Sequence, residues 1–291
     1  MIQFLLVGIM LIFPSFKQIA LDLYYMGRFE NVFISRNRIY GISGDYTFFT
    51  PIFHSILASI AFMVAFFTNR KKYYFYIPFL LIMVLLNGRF GLLIFFCCLT
   101  ISFIYSAIVR KNIFKIFGTI IMISLVVTVL IYFVKLNVPY TYQWIMGGVE
   151  DTVKLLIYGE LSGNFSVLGE RYLFFPTGIS ILIGEGHRVY GEYATQNGFS
   201  HSDIGFVNDL FMGGVIYVSI LYGSIARYVL QTTNSEFIGK HFQIVINISL
   251  ILSLLLANYK GETMRGGLVL LGVLMFKMIM DLPDKKENPI S

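Results

Sequence analysis

Charge is scarce in this chain. Lys, Arg, Asp and Glu make up 13% of its 291 residues, about half the share of an ordinary soluble domain. That scarcity excludes a solvated globular body. Cysteine is almost absent: the two present, Cys97 and Cys98, are adjacent and mid-run, so no disulfide framework exists. Histidine is rare and scattered, with four residues. No HxxxH, HExxH or DxD spacing occurs, and a metal ligand set is not expected. P-loop and GxGxxG patterns are missing, so nucleotide use is not indicated. Strand alternation is missing too, which argues against a membrane barrel. Internal repeats and low-complexity segments are also lacking.

What remains is apolar. Hydrophobic residues are 57% of the chain and aromatic residues 17%. Long apolar runs recur, and together they read as an all-α polytopic membrane protein, a single integral membrane domain over residues 1–291. The runs are Met1–Phe13, Ile52–Phe67, Tyr73–Leu86, Phe90–Val109, Phe114–Val134, Val207–Ile225, Phe242–Ala257 and Gly266–Met280. That makes about eight transmembrane helices, the first of them short. Tyr73–Leu86 and Phe90–Val109 read as a helical hairpin turning at Asn87-Gly88-Arg89. Basic short segments at 69–72, 110–115, 227–240 and 285–286 fall on one side, which is therefore expected to be cytoplasmic. The balance is basic, 22 Lys and Arg against 16 Asp and Glu, which in such a chain serves topology and anionic headgroups.

The opposite side is expected to carry one large polar loop, residues 135–205, and chemistry is expected there. His201-Ser202-Asp203 closes this loop. A histidine at the headgroup plane suits proton transfer from a hydroxyl, and Asp203 suits orienting it or acting as the base itself. Ser202 or Asp203 also fits an N-cap for the next helix. His187, in GEGHRVYG, is a second candidate, although a Gly-rich turn explains that segment. Asp209, inside the next helix, is an intramembrane carboxylate and so functional or paired. Gly213-Gly214 predicts close helix packing. Arg89 and Lys260 sit in very short outer turns where topology gains nothing from a cation. Snorkelling accounts for either alone. Several cations on one face fit an anionic ligand such as a phosphate or pyrophosphate. Loop aromatics such as Tyr140, Tyr142, Trp144, Tyr172 and Tyr190 suit sugar stacking or an interfacial belt, the belt being the better reading for Tyr140–Trp144.

Four segments in order resemble the O-antigen polymerase (Wzy-type) and O-antigen ligase superfamily of bacterial polysaccharide enzymes. SRNRIYGISGDYTFFTPIF resembles the family's Arg-x-x-Gly outer loop, with Arg38 and Gly41 at the matching positions. LLNGRFGLL resembles its helix-turn segment and carries Arg89. GERYLFF followed by ILIGEGHRVYG resembles its Arg-then-Gly loop motif and carries Arg171, Gly184 and Gly186. HSDIGFVNDLFMGG resembles the segment closing the loop and carries His201, Asp203 and Gly214. The ligases' His-to-Gly spacing is not matched, which favours polymerase.

The resemblance implies a GT-C-like architecture in the bacterial inner membrane, with the active site facing the periplasm. It implies a metal-independent glycosyltransferase without cofactors. Donor and acceptor would be glycan repeat units on undecaprenyl diphosphate. Arg38, Arg89 and Arg171 would hold the diphosphate, His201 or Asp203 would deprotonate the attacking hydroxyl, and Gly41, Gly184, Gly186 and Gly214 would shape the loops. A chain-length regulator and a flippase of the same pathway are the protein partners it implies, and no nucleic acid. Family members carry ten to twelve spans, so it also implies further N-terminal helices. The alternatives are a ligase transferring glycan to lipid A-core and, in a different class, a lipid-linked oligosaccharide flippase.

Overall fold

The structure is a computed structural model that describes residues 2–25, 38–39, 41, 49–111, 113–160, 162–163, 166, 172–190, 200–232, 239–265 and 267–281. The described residues are helical or irregular and contain no strand. The chain forms two compact units, Met1–Leu173 and Phe174–Ser291. The expected loop 135–205 is therefore divided between them.

The first unit opens with α1 (Ile2–Ile12) and α2 (Pro14–Tyr25). They meet at a bend of 118°. Pro14 explains it: the ring removes an amide donor and clashes with the preceding turn, so a helix starts at it but does not run through it. Next come α3 (Phe49–Thr68), a 3-10 segment (Lys71–Phe75), α4 (Tyr76–Asn87) and α5 (Arg89–Tyr105). Gly88 is extended between α4 and α5, and both helices pack on α3. The helical hairpin read from the sequence thus takes the form of a helix break at Gly88. A π-helical turn (Ser106–Arg110) continues α5 before α6 (Ile113–Asn137) and α7 (Pro139–Tyr158). One buried cluster ties α1, α2, α4, α6 and α7 together through Val7, Met10, Ala20, Met83, Val134 and Ile145. Tyr142 and Trp144 pack against this cluster, and only Tyr140 of that group is well exposed. Two of the three aromatics expected in a belt thus pack, half-buried, against the core.

The second unit holds the short α8 (Ser180–Ile183), then α9 (Gly205–Leu230), α10 (Lys240–Lys260) and α11 (Leu268–Asp281). Asn258, near the end of α10, bonds to Asp209 near the start of α9. Asn247, near the start of α10, donates to the Gln231 carbonyl at the end of α9 (3.0 Å). The two helices are therefore antiparallel. Lys277 of α11 is fully buried, and its Nζ donates to the same Gln231 carbonyl (2.6 Å) and to Asp281 (2.7 Å).

Five described helices are long and apolar enough to cross a membrane: Phe49–Thr68, Phe90–Val109, Ile113–Asn137, Gly205–Leu230 and Lys240–Lys260. Counting the bent α1–α2 pair as one span makes six. The count falls short of eight for a geometric reason. α4 has 12 residues and α11 has 14. At 1.5 Å per residue they reach about 18 and 21 Å, against a hydrocarbon core of ~30 Å. α6 shows what an unambiguous candidate looks like. Phe114, Phe117, Ile121, Leu125, Val129 and Leu136 are all exposed along its length, as lipid contact requires.

Candidate functional site

The site assembles at the start of α9, within the second unit. Asn208, fully buried in the first turn, organises it. Its Oδ1 accepts from the Val189 amide (2.9 Å) and its Nδ2 donates to the carbonyls of Ser202 (2.9 Å) and Ile204 (3.0 Å). The Ser202 amide in turn donates to the Val189 carbonyl (2.7 Å). One amide side chain thus holds residues 188–190 alongside residues 201–204.

That pairing brings the loop's polar side chains together. His201 Nε2 lies 2.8 Å from Asp203 Oδ1, with both side chains about one third exposed. A carboxylate only accepts, so this contact is made by an Nε2–H that donates to Asp203. The Tyr190 ring sits 5.5 Å from the His201 ring, centroid to centroid. The Arg188 guanidinium lies 5.7 Å from the Tyr190 centroid on its other contact. Arg188 makes a two-pronged pair with Glu262, Nε donating at 3.0 Å. Ser202 does not cap α9. Its Oγ accepts from the Ile204 amide (3.2 Å), and Ile204 occupies the N-cap position. The N-cap expectation is corrected to a local hydroxyl turn, which the β-region Ile204 backbone makes possible.

Below this surface lies a buried ionic chain. Glu262 also pairs with Arg265 (2.6 Å), and Arg265 Nε pairs with Asp209 (2.5 Å). The Asp209 side chain is wholly buried and that of Arg265 nearly so. Tyr222 donates its hydroxyl to Asp209 Oδ2 (2.5 Å), and Asn258 Nδ2 donates to the same oxygen (3.3 Å) and to the Tyr222 hydroxyl (2.5 Å). Asn258 Oδ1 accepts from the amides of Thr263 (2.7 Å) and Met264 (3.0 Å), which shapes the turn carrying Glu262 and Arg265. Asp209 was legible as an intramembrane carboxylate. Glu262 and Arg265 as its electrostatic partners were not. Their only sequence signal is an i,i+3 acid–base pair in a short turn between apolar runs.

The four glycines assigned to loop shaping all have positive φ: Gly41 at 67°, Gly184 and Gly186 at 75°, Gly214 at 66°. Gly214 breaks α9 and Gly184 lies directly against Gly213, where a Cβ would come within 2.5 Å of the Gly213 amide nitrogen. His187 sits beside Glu185, Nε2 to Oε2 at 3.6 Å.

In the first unit, Arg38 lies 5.9 Å from the Trp144 ring centroid, and the neighbouring Ile39 amide donates to Asn87 Oδ1 (2.9 Å). Arg171 and the side chain of Arg89 lie outside the described residues. A cavity of about 270 Å³ opens between α1, α3 and α4, lined by Gln3, His54, Tyr73 and Phe79 among others, and no expected site residue lines it. Among the described residues no three His, Cys, Asp or Glu side chains are grouped to hold a metal ion. No family model, no curated protein and no solved structure matches the chain.

Proposed function

We propose that this protein is a metal-independent glycosyltransferase that polymerises glycan repeat units carried on undecaprenyl diphosphate, acting at the outer face of the bacterial inner membrane. The observation that carries the reading is the His201–Asp203 pair, 2.8 Å apart beside Tyr190 and Arg188, at the head of a membrane-length helix. Asp203 orients the imidazole, and His201 Nδ1 takes the proton from the attacking sugar hydroxyl, a step worth about 10²–10⁴-fold in rate. The hydroxyl oxygen attacks the anomeric carbon, the anomeric C–O bond breaks, and the diphosphate leaves with the electron pair. Tyr190 offers a face on which a sugar ring stacks. Within this cluster Arg188 and Arg265 are balanced by Glu262 and Asp209. As the resemblance implies, the diphosphate charge is assigned to Arg38, Arg89 and Arg171. It also retains the eight-span, GT-C-like arrangement, with α4 and α11 as short members.

A flippase of lipid-linked oligosaccharides is the second reading. The break of α9 at Gly214 and the buried Asp209–Arg265 pair favour it, because discontinuous helices and buried charge mark transport paths. The glycan ladder of a deletion strain separates the two. Collapse to single repeats, reversed by the wild-type chain and not by His201→Gln or Asp203→Asn, is the expected result. Lipid-linked units trapped inside would indicate the flippase. An unchanged ladder would end the polymerase reading.

A further inference from the structure

We propose that residues 177–184 form a re-entrant element inserted among the lipid acyl chains, seated in the notch that Gly214 opens in α9. This inference is independent of the enzymatic reading and rests on four observations within the second unit. The first is exposure. Phe175, Ile179, Ile181, Leu182 and Ile183 are 43–72% exposed, a dense apolar patch on a segment expected to be a polar loop. No charged residue occurs from Tyr172 to Gly184.

The second is depth. Gly214 lies nine residues after Gly205 in α9, about 13 Å along the helix. Gly214 thus lies well inside a segment long and apolar enough to cross a membrane. Val215, Ile216 and Ile220 of α9, just beyond Gly214, are exposed as well.

The third is the lock. At Gly214 the backbone leaves the helix (φ 66°, ψ −172°), and the carbonyl of Phe211 accepts the Glu185 amide (2.6 Å). A Cβ at Gly214 would fall within 2.2 Å of the Leu182 carbonyl oxygen. Only glycine allows the two backbones this close.

The fourth is backbone satisfaction, the condition that hydrocarbon imposes. The amides of Ile181, Leu182, Ile183 and Gly184 donate to Gly178, Ile179, Ile179 and Ser180, and that of Glu185 to Phe211. Five consecutive amides, from Ile181 to Glu185, are thus paired within the protein. The element ends at Glu185, so it sets the height at which His187, Arg188 and Tyr190 stand: at the hydrocarbon boundary.

The test uses the full chain in proteoliposomes. Trp144 is the only tryptophan, so Leu182→Trp or Ile179→Trp is placed in a Trp144→Phe background. Phosphatidylcholine brominated in mid-chain should quench the new tryptophan, and aqueous iodide should not. Efficient quenching by iodide would overturn the proposal. Protection from both quenchers would overturn it as well, since the patch would then be covered by protein, such as a second copy. Leu182→Cys with Cys97→Ser and Cys98→Ser gives the same answer without a bulky ring. A membrane-impermeant maleimide should label it at least about tenfold more slowly in intact bilayers than in detergent, access being what limits an unperturbed thiol. Equal rates in the two settings would refute insertion.

Discussion

Removing the guanidinium of Arg265 is the sharpest test of the ionic chain. Arg265→Met keeps the aliphatic stem and deletes the charge. Asp209 is then left at 0% side-chain exposure with only neutral donors. Breaking a buried pair from one side costs about 3–5 kcal/mol. The low end, about 3 kcal/mol, is expected because Tyr222 and Asn258 still donate to Asp209 Oδ2, and such donors within a membrane protein are each worth ~0.6–1.7 kcal/mol. Asp209→Leu alone should also destabilise, by less, since Arg265 keeps Glu262. The double variant Asp209→Leu/Arg265→Met removes both charges. It should recover at least about 2 kcal/mol of the summed losses, because a buried pair replaced by apolar groups is often neutral. The assay is unfolding of the purified chain in mixed micelles by increasing dodecyl sulfate, followed by helical circular dichroism. Single losses below about 1 kcal/mol that add in the double variant would show the two residues to be uncoupled, and the chain of charges would not be a structural unit.

Two further outcomes are expected. Gly214→Ala should cost several kcal/mol, about 1–3 from a backbone region reserved for glycine and more from the contact with the Leu182 carbonyl; dodecyl sulfate unfolding of the variant measures it, and a change under about 1 kcal/mol would contradict the close approach of α8. Lys277→Met should be far milder than a typical broken buried pair, on the order of 1–2 kcal/mol, because Asp281 keeps partial solvent access and the methionine fills the volume of the lysine stem. The same titration decides it, and a loss above about 4 kcal/mol would mean that the Gln231 carbonyl depends on this amine.

The helices were readable because apolar runs leave little choice in hydrocarbon: each backbone amide must bond within its own segment. The apolar core of α6, for example, is bounded by Lys115 and Lys135. Which runs were long enough to cross was less readable, since the 3-10 segment Lys71–Phe75 takes the first residues of the run Tyr73–Leu86 and leaves α4 with 12. His201 and Asp203 were readable as a pair from their spacing. The Arg188–Tyr190 side of the cluster was not, because it is brought in by Asn208, a side chain whose three hydrogen bonds span residues 189–204. Likewise 49 residues separate Asp209 from Asn258, and no periodicity reports such a contact. The apolar stretch 172–184 was visible as letters, but reading 135–205 as one polar loop concealed it.

The buried amine of Lys277 bears on how the chain enters the membrane. Lys277 stands four residues before the end of α11, where a lysine opposes insertion by less than the about 2.5–3.5 kcal/mol of a mid-segment position. The groups that receive its charge, the Gln231 carbonyl and Asp281, lie at the end of α9 and within its own last turn. α11 emerges from the ribosome after α9 and α10, so the Gln231 carbonyl is already in place when Lys277 and Asp281 follow. Docking of α11 through this amine therefore follows the formation of the α9 end that carries the Gln231 carbonyl. One side chain thereby records an order of assembly for this half of the protein.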